Sequence, residues 1–238
     1  MALFPPTGLF PPLRRRRSVE QRRLSALRQA PAGPLREYLQ LPLPGPTTPV
    51  QDLRLLAIDL ETTGLDPDHD HLLAIGFVPV DGTTIRLAGA RRLLVRPRAG
   101  VGESATIHGI TDDEAHSGGI SLEEALAITL QALQGRALLA HFAHMETGFL
   151  DRACLEAFGA SPVFTTVDTL QIQYRLMTVG HADEPPRSAL RLWRARARYG
   201  LPTYRAHEAL TDALACAELY LALVAEPGTG STLRDLQR

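Results

Sequence analysis

Five side chains from three distant segments of this sequence could together hold divalent metal ions. The segment "LAIDLETTG" supplies Asp59 and Glu61, "ALLAHFAHMETGFL" supplies Glu146, and "HEALTDALACAELYLAL" supplies His207 and Asp212. Four carboxylates and a histidine are what a protein needs to hold two Mg²⁺ ions over a phosphodiester and to deprotonate a water beside them. The residue types therefore predict metal-dependent hydrolysis of a phosphodiester.

The spacing of the first pair supports this grouping. Asp59 and Glu61 are two residues apart at the end of an apolar run typical of a buried strand, so both side chains project from one face of a sheet. Carboxylate oxygens suit Mg²⁺ or Mn²⁺ better than Zn²⁺. Thr62, Thr63 and Gly64 follow where the strand ends, and their hydroxyl and N–H groups could bind a sugar hydroxyl or a phosphate.

The spacing of His207 and Asp212 places the histidine outside regular helix. Five residues of helix rotate by about 500°, which leaves the two side chains roughly 140° apart. We therefore expect His207 at or before the start of the helix that carries Asp212. A histidine on a flexible lead-in beside a metal site can move and accept a proton, as a general base must.

The order of predicted elements favours a mixed α/β sheet with helices on its faces. Three antiparallel front strands, with a hairpin turn at Asp81-Gly82, precede alternating helices and short buried strands. The predicted elements are strands at 53–60, 71–80 and 84–97, a helix at 121–133 capped by Ser121, a strand at 136–141, a helix at 145–158, a strand at 163–170, and helices ending near 177, 200 and 224. The arginines of the helix at 189–200 (Arg191, Arg194, Arg196 and Arg198) are expected to form a solvated face or a phosphate track.

Composition divides the chain into three parts. The first 50 residues hold ten of the 18 prolines, and eight of the 25 basic residues lie between Arg14 and Arg36, although the formal net charge of the chain is −1. We predict an N-terminal Pro/Arg-rich arm at 1–50, an α/β domain at 51–226 and a C-terminal tail at 227–238. The arm is expected to be extended or locally ordered, with one short helix at about 18–29, and could bind a protein partner or nucleic acid.

Other features of the sequence indicate a reducing, cytoplasmic location. Cys154 and Cys216 lie in apolar, helix-like stretches and are expected to be buried thiols. No apolar run approaches the roughly 18 residues that a membrane span requires. The N-terminal segment "MALFPPTGLFPPLRRRR" does not have the order of a signal peptide, because prolines break its apolar part and the arginines follow it.

Together these motifs resemble the DEDDh family of 3′–5′ exonucleases, over about residues 53–223. The stretches "IDLETTGLDP" and "HEALTDA" match the first and third family motifs, and "IHGIT" matches a stretch of its epsilon-like members that lies near the terminal nucleotide. The resemblance implies a ribonuclease H-like fold and 3′–5′ exonuclease activity on single strands that releases nucleoside 5′-monophosphates, with two Mg²⁺ or Mn²⁺ ions. It also implies that Asp59, Glu61, Glu146 and Asp212 are metal ligands, that His207 is the general base and that His108 lies near the substrate.

The second motif departs from the usual Ala-His-Asn-x-x-Phe-Asp of the family. Phe142 stands where Asn is expected, Met145 where Phe is expected and Glu146 where Asp is expected. Glu keeps the charge but is one methylene longer. The resemblance extends to epsilon-like proteins that have Glu at this place, which favours a working metal site over an impaired one. Three interpretations stay open: an epsilon-like exonuclease acting on DNA, an RNA-directed exonuclease of the RNase T or oligoribonuclease type, and a nucleic-acid- or protein-binding module with an impaired site.

Overall fold

The computed structural model describes residues 17–96, 118–178 and 184–238. Its strands form one mixed sheet in the order β3-β2-β1-β5-β6, and β4 also pairs with β2. The pairs β1–β2, β2–β3 and β2–β4 are antiparallel, whereas β1–β5 and β5–β6 are parallel. The predicted mixed sheet is therefore confirmed. The strands are β1 (Arg54–Thr62), β2 (Leu72–Asp81), β3 (Thr84–Ile85), β4 (Arg91–Leu94), β5 (Ala137–Ala140) and β6 (Thr166–Asp168).

Helices pack on both faces of this sheet. On one face, α2, α3 and α4 cover Leu56 and Ile58 of β1. On the other, α7 covers Leu55 and Ala57, because successive residues of a strand point to opposite faces. The helices are α1 (Val19–Gln29), α2 (Pro34–Gln40), α3 (Leu122–Leu133), α4 (His144–Phe158), α5 (Thr169–Thr178), α6 (Leu192–Arg198), α7 (Ala209–Ala225) and α8 (Leu233–Leu236). None of these described helices is both long enough and apolar enough to cross a membrane.

The third predicted strand, at 84–97, is in fact two short strands, β3 and β4, separated by a 3-10 turn at Leu87–Gly89. The interruption lies opposite Pro79 of β2, whose carbonyl accepts a hydrogen bond from Arg86 N (2.8 Å). In an antiparallel strand the N–H and C=O of one residue point to the same side, so the N–H that proline lacks would have faced the third strand. The ladder cannot continue there without a gap.

Local signals at helix ends act largely as expected. The Ser121 hydroxyl accepts a hydrogen bond from Glu124 N (3.1 Å) at the start of α3. Gly159 ends α4 with a φ of 69°, the left-handed conformation that glycine adopts without strain. Ser188 does not cap a regular helix; it lies in a 3-10 turn at Arg187–Leu190, and Arg191 precedes α6.

The N-terminal segment is more ordered than expected. The short helix expected at about 18–29 is present as α1, which Ser18 caps, but α2 also places Leu35, Tyr38 and Leu39 in the core. The Tyr38 hydroxyl donates to the carbonyl of Val163 (2.9 Å). The three residues have the i, i+3, i+4 spacing of an amphipathic helix, a signal hidden by the surrounding prolines. The boundary at residue 50 and the docking of a protein partner on this segment stay predictions.

The C-terminal tail packs against the start of the domain. Leu233 and Leu236 of α8 are buried, and Val50 N donates to the carbonyl of Ser231 (2.9 Å). Thr232 pairs with Pro49 in an isolated antiparallel bridge. The chain entering β1 is therefore held by the segment that follows α7.

Candidate metal centre

Three of the predicted ligands lie together at the end of β1. One carboxylate oxygen from each of Asp59, Glu61 and Asp212 lies within 4.8 Å of the other two. Asp59 and Glu61 continue the face of β1 that begins with Leu55 and Ala57 and lies against α7. Asp212 is in the first turn of α7, so the strand and the helix present their carboxylates to the same space.

A glycine allows α7 to approach the sheet this closely. Gly76 of β2 pairs with Asp59 of β1. A Cβ atom at Gly76 would lie 2.1 Å from the carbonyl carbon of Ala209, the first residue of α7, and 2.2 Å from Leu210 N. The absence of a side chain at Gly76 therefore sets the position of the helix start that carries Asp212.

Glu146, the fourth predicted ligand, lies on α4 and outside this group of three carboxylates. It is the third residue of α4 and its side chain is buried. Its charge acts on Asp59, where it is the largest neighbouring contribution that raises the pKa of that carboxyl. The loop before α4 is held by Asp168 at the end of β6, whose carboxylate accepts hydrogen bonds from Phe142 N (3.0 Å) and Ala143 N (3.1 Å).

The unsatisfied oxygens of this cluster fit a metal-binding role. Within residues 17–96, 118–178 and 184–238, Glu61 Oε1, Glu146 Oε2 and Asp212 Oδ1 are buried and have no hydrogen-bond partner. Buried polar atoms are normally satisfied, and an unsatisfied one requires an explanation such as an ion. Oxygen-only ligands of this kind could hold hard divalent cations.

The carboxyl groups of the cluster disfavour one another's charge. Burial, followed by repulsion from Asp212, raises the pKa of Glu61 to about 7, and burial raises that of Glu146 to about 8. Burial also raises the pKa of Asp59 well above its ordinary range. It raises the pKa of Asp212 as well, although the hydrogen bond from His207 N opposes that shift. A bound cation would reverse the cost of holding these charges together.

His207 lies just before α7, as predicted from its spacing. Its backbone N–H donates to Asp212 Oδ2 (2.9 Å), and its φ of 64° is in the left-handed region, which is uncommon for a residue with a side chain. The side chain is exposed. The chain therefore turns sharply at His207 and leaves the imidazole accessible beside a carboxylate of the cluster.

The segment that leads to His207 is fixed by a buried arginine. Arg196 of α6 is 1% exposed, so the expected solvated arginine face is wrong at this position. Its guanidinium donates to Ala215 O (2.6 Å) and Glu218 Oε2 (2.7 Å) of α7 and lies 4.9 Å from the centre of the Tyr204 ring. Residues 199–206 are thus tied to the helix that carries Asp212.

Sequence reasoning missed a fifth carboxylate. Glu208 caps α7 by accepting a hydrogen bond from Thr211 N (2.8 Å), and its charge raises the pKa of Glu61. Arg92 of β4 forms an ion pair with Glu208 (Nε to Oε1, 3.0 Å). Asp168 was also missed, and so was Gly76, although an isolated glycine within a strand pattern often signals a close backbone approach.

The predicted substrate-binding residues adjoin the cluster but are partly engaged in the following loop. The Thr62 hydroxyl donates to Gly64 O (2.5 Å), and the Thr63 hydroxyl donates to Asp70 Oδ1 (3.0 Å). A Cβ atom at Gly64 would lie 2.4 Å from the Asp70 carboxylate. His108 and the stretch "IHGIT" lie outside the described residues.

Most of this chain matches one known protein family. The family model RNase_T, described as Exonuclease, matches residues 56–220, which include all of the predicted ligands. The chain belongs to the RNase T exonuclease family. The resemblance to DEDDh exonucleases is thereby confirmed at the level of the family, and the domain is an exonuclease domain.

Polymerase-associated proteins are among the relatives of this RNase T family domain. It is 29% identical over 174 residues to a DNA polymerase III PolC-type protein of Thermotoga maritima, covering 73% of this chain but 12% of that protein. It is also 29% identical over 169 residues to DNA polymerase III subunit epsilon of Treponema pallidum, covering 71% of this chain and 75% of that protein. The chain thus spans a small part of the PolC-type relative.

Solved structures support the fold of this RNase T family domain. The zinc-bound complex of E. coli ExoI with single-stranded DNA aligns with a TM-score of 0.63 and 17% identity, over 74% of this chain and 42% of that chain. The nuclease domain of 3′hExo, a DEDDh family member bound to rAMP, aligns with a TM-score of 0.62 and 18% identity, over 73% and 92% of the two chains. The ribonuclease H-like exonuclease fold expected from the sequence is confirmed.

Proposed function

We propose that this protein is a metal-dependent 3′–5′ exonuclease that removes nucleoside 5′-monophosphates from a single-stranded 3′ end. The observation that carries the proposal is the convergence of the carboxylates of Asp59, Glu61 and Asp212 in a domain of an exonuclease family. Glu61, Asp212 and the nearby Glu146 each have a buried oxygen without a hydrogen-bond partner among the described residues. Glu146 lies outside that group of three, but its buried carboxylate is near enough for its charge to act on Asp59, although it replaces the usual Asp. This placement favours a working site over a binding module with an impaired site.

Asp59, Glu61, Glu146 and Asp212 would hold two Mg²⁺ or Mn²⁺ ions. Such ions, when bound, lower the pKa of a coordinated water and stabilise the charge of the phosphate and the leaving oxygen. The accessible imidazole of His207 accepts the proton of the attacking water, and the hydrogen bond from its own backbone to Asp212 keeps it beside the cluster. Thr62, Thr63 and Gly64 would contact the terminal nucleotide.

A polar groove beside α4 supports a single strand as the substrate. It is lined by His144 and Thr147 of α4, by Gln171 and Gln237, and by the exposed Arg22 of α1. None of the four proposed ligands lines this groove, but Asp168 does, and after burial it is the neighbouring charge that raises the pKa of Glu146, so a strand in the groove would pass near that carboxylate. Arg22 would neutralise a phosphate there, which would give the N-terminal segment a role in binding longer strands.

DNA is the preferred substrate class in this proposal, because two of the relatives are named as DNA polymerase III proteins and ExoI is bound to single-stranded DNA. Activity on RNA is the second candidate. It is favoured by one observation, the rAMP bound to the structurally similar 3′hExo nuclease domain.

The deciding experiment is digestion of 5′-labelled single-stranded DNA, RNA and dinucleotides by the full chain with Mg²⁺, with Mn²⁺ and with excess chelator. We expect stepwise shortening from the 3′ end, release of 5′-monophosphates and loss of activity in chelator. Undiminished hydrolysis in chelator would overturn the metal mechanism. A strong preference for RNA or dinucleotides would replace DNA with the second candidate, and failure to hydrolyse any strand with either metal would overturn the exonuclease proposal.

The Arg22 contact is tested with Arg22→Ala and a matched control, Arg28→Ala, on the same helix. Arg22 lines the groove beside α4, whereas Arg28 lies outside it. Loss of one phosphate contact should reduce the slope of log affinity against log salt by about 0.7 for a single strand. An unchanged slope in Arg22→Ala, or an equal change in both variants, would remove Arg22 from the proposed track.

A further inference from the structure

Phe142 is an exposed aromatic side chain at the exit of β5. Phe142 is 47% exposed, and the other phenylalanines that the structure describes are buried or partly buried. It stands where the family motif has Asn. A single exposed apolar side chain is ordinary on a protein surface, so the backbone and the position of Phe142 decide whether it has a role.

The backbone of Phe142 is held in an unfavourable conformation. Its φ of 78° is in the left-handed region, which is a genuine outlier for a bulky residue. The conformation is imposed by Asp168, which accepts hydrogen bonds from Phe142 N and Ala143 N. The preceding residue is fixed as well, because the His141 ring contacts Thr169 Oγ1 (2.9 Å) and Leu190 O (2.7 Å). Strain maintained in this way is characteristic of functional positions.

The register of the sheet places Phe142 at the level of the metal site. Leu139 of β5 pairs with Ala57 of the parallel strand β1. Two residues further along each strand, His141 is level with Asp59, so the loop that carries Phe142 leaves the sheet at the same edge as the carboxylates. Glu146 follows four residues later in the first turn of α4.

A second ring restricts the orientation of Phe142. The rings of His144 and Phe142 form an edge-to-face pair, with the ring centres 6.3 Å apart and an interplanar angle of 70°. Aromatic pairs favour this edge-to-face geometry, which uses the edge of one ring and leaves a face open.

Resting on the proposed function, we propose that Phe142 stacks on a base of the bound strand, next to the phosphodiester that is cleaved. The ligand class is a nucleobase, with little preference among bases because each has an aromatic face. The strained loop and the edge-to-face contact with His144 hold the ring in place before the strand arrives. Phe142 is thus a binding residue of the substrate rather than part of the metal site.

The experiment compares the full chain with Phe142→Ala, Phe142→Tyr and Phe142→Asn. Binding is measured by fluorescence anisotropy of labelled single strands, with normal 3′ ends and with abasic sites at the last two nucleotides, and KM and kcat are measured on the same strands. Leu155→Ala is the matched control, because Leu155 is a 42% exposed apolar residue of α4, the helix that follows the loop of Phe142.

For normal strands we expect Phe142→Ala to weaken binding and raise KM roughly 5- to 150-fold, the range for loss of one stacked base. Phe142→Tyr should bind within about twofold of the parent. For abasic strands, Phe142→Ala and the parent should bind equally, because the partner of the ring is missing. Phe142→Asn should melt at a higher temperature than the parent, since Asn tolerates the left-handed conformation, and yet bind normal strands poorly.

Equal loss on normal and abasic strands, or a loss of binding matched by Leu155→Ala, would overturn the stacking role. So would a parent that binds neither kind of strand. The two proposals fail separately: a parent that binds strands in a Phe142-dependent way but hydrolyses none of them overturns the exonuclease proposal alone. A parent that hydrolyses strands with no dependence on Phe142 overturns the stacking proposal alone.

Discussion

Gly76 lies across the β1–β2 ladder from Asp59, and a Cβ atom there would lie 2.1 Å from the backbone of Ala209. Gly76, the partner of the proposed ligand Asp59, therefore determines how closely α7, which carries the proposed ligand Asp212, can approach the sheet. Because the atoms that this Cβ would meet belong to the backbone of Ala209 and Leu210 and not to a flexible side chain, α7 itself would have to move to admit a methyl group.

Gly76→Ala should therefore separate Asp212 from Asp59. We expect destabilisation of about 1–3 kcal/mol, as for overpacking of a well-packed site. Catalysis should fall by a larger factor, on the order of 10²-fold, because a misplacement of about 1 Å can have that effect. The matched control is Gly45→Ala, where a Cβ would lie 4.0 Å from the Thr48 hydroxyl. Activity near that of the parent in Gly76→Ala would show that the start of α7 is not fixed by this contact.

The stability of the metal-free protein should depend on pH. Burial raises the pKa of Glu61 to about 7 and that of Glu146 to about 8, whereas an unfolded Glu has a pKa of about 4.3. The folded state then binds more protons than the unfolded state between these values, so stability falls as pH rises from about 5 to about 8. Melting curves in chelator should show this fall, and the increase in Tm on adding Mn²⁺ should grow over the same range. A flat profile in chelator would mean that the carboxyl groups are not mutually destabilised.

Replacement of His207 by Ala should separate proton transfer from metal binding. We expect a rate lower by roughly 10²–10⁴, the usual contribution of a positioned base, with the Mn²⁺-dependent shift in Tm retained. The backbone hydrogen bond to Asp212 remains available to Ala. If His207→Ala turned over at a near-normal rate at neutral pH, another group would have to act as the base, and His144 would be tested first.

Two substitutions test whether Glu146 is a metal ligand. Glu146→Gln removes the charge and keeps the length, whereas Glu146→Asp keeps the charge and restores the residue usual in the family. We expect Glu146→Gln to lose far more activity than Glu146→Asp, because two divalent cations require the negative charge more than one methylene of reach. Both are compared with the parent at saturating Mn²⁺. Wild-type activity in Glu146→Gln would exclude Glu146 as a ligand.

The elements of the sheet were largely predictable because their signals are local. The apolar runs of β1, β2 and β5 and the cap at Ser121 each act over a few residues. The break opposite Pro79 was not predicted, since it depends on which side of β2 the third strand pairs with. The place of Glu208 beside the carboxylates was also hidden, because it depends on how α7 docks on Gly76.

The burial of Arg196 could not be predicted from the sequence pattern of its own helix either. Arg194 and Arg198 on the same helix are exposed. Helical periodicity alone does not distinguish an arginine stacked on aromatic rings from a solvated one. Arg196 is the buried arginine because Glu218 and two carbonyl groups from other segments accept its hydrogen bonds. Patterns within one segment carry no information about such partners.

The N-terminal segment should contribute to the stability of the domain, contrary to what its proline content indicates. Leu39 is fully buried, whereas Leu41, two residues later, is 42% exposed. We expect Leu39→Ala to lower the free energy of unfolding by about 2–5 kcal/mol and Leu41→Ala by less than about 0.5 kcal/mol. Chemical denaturation of both variants would measure the difference. Equal, small effects would mean that α2 is dispensable for folding.

Trp193 is the single tryptophan of the chain and lies in contact with the cation that fixes the lead-in to His207. Its ring is perpendicular to that of Tyr204, with the ring centres 6.3 Å apart. Tryptophan emission from this protein therefore comes from one place, and a change in residues 199–206 would alter the surroundings of that ring through Tyr204. A stopped-flow trace of tryptophan fluorescence on mixing with a strand would time the rearrangement of the His207 lead-in directly, with no label attached.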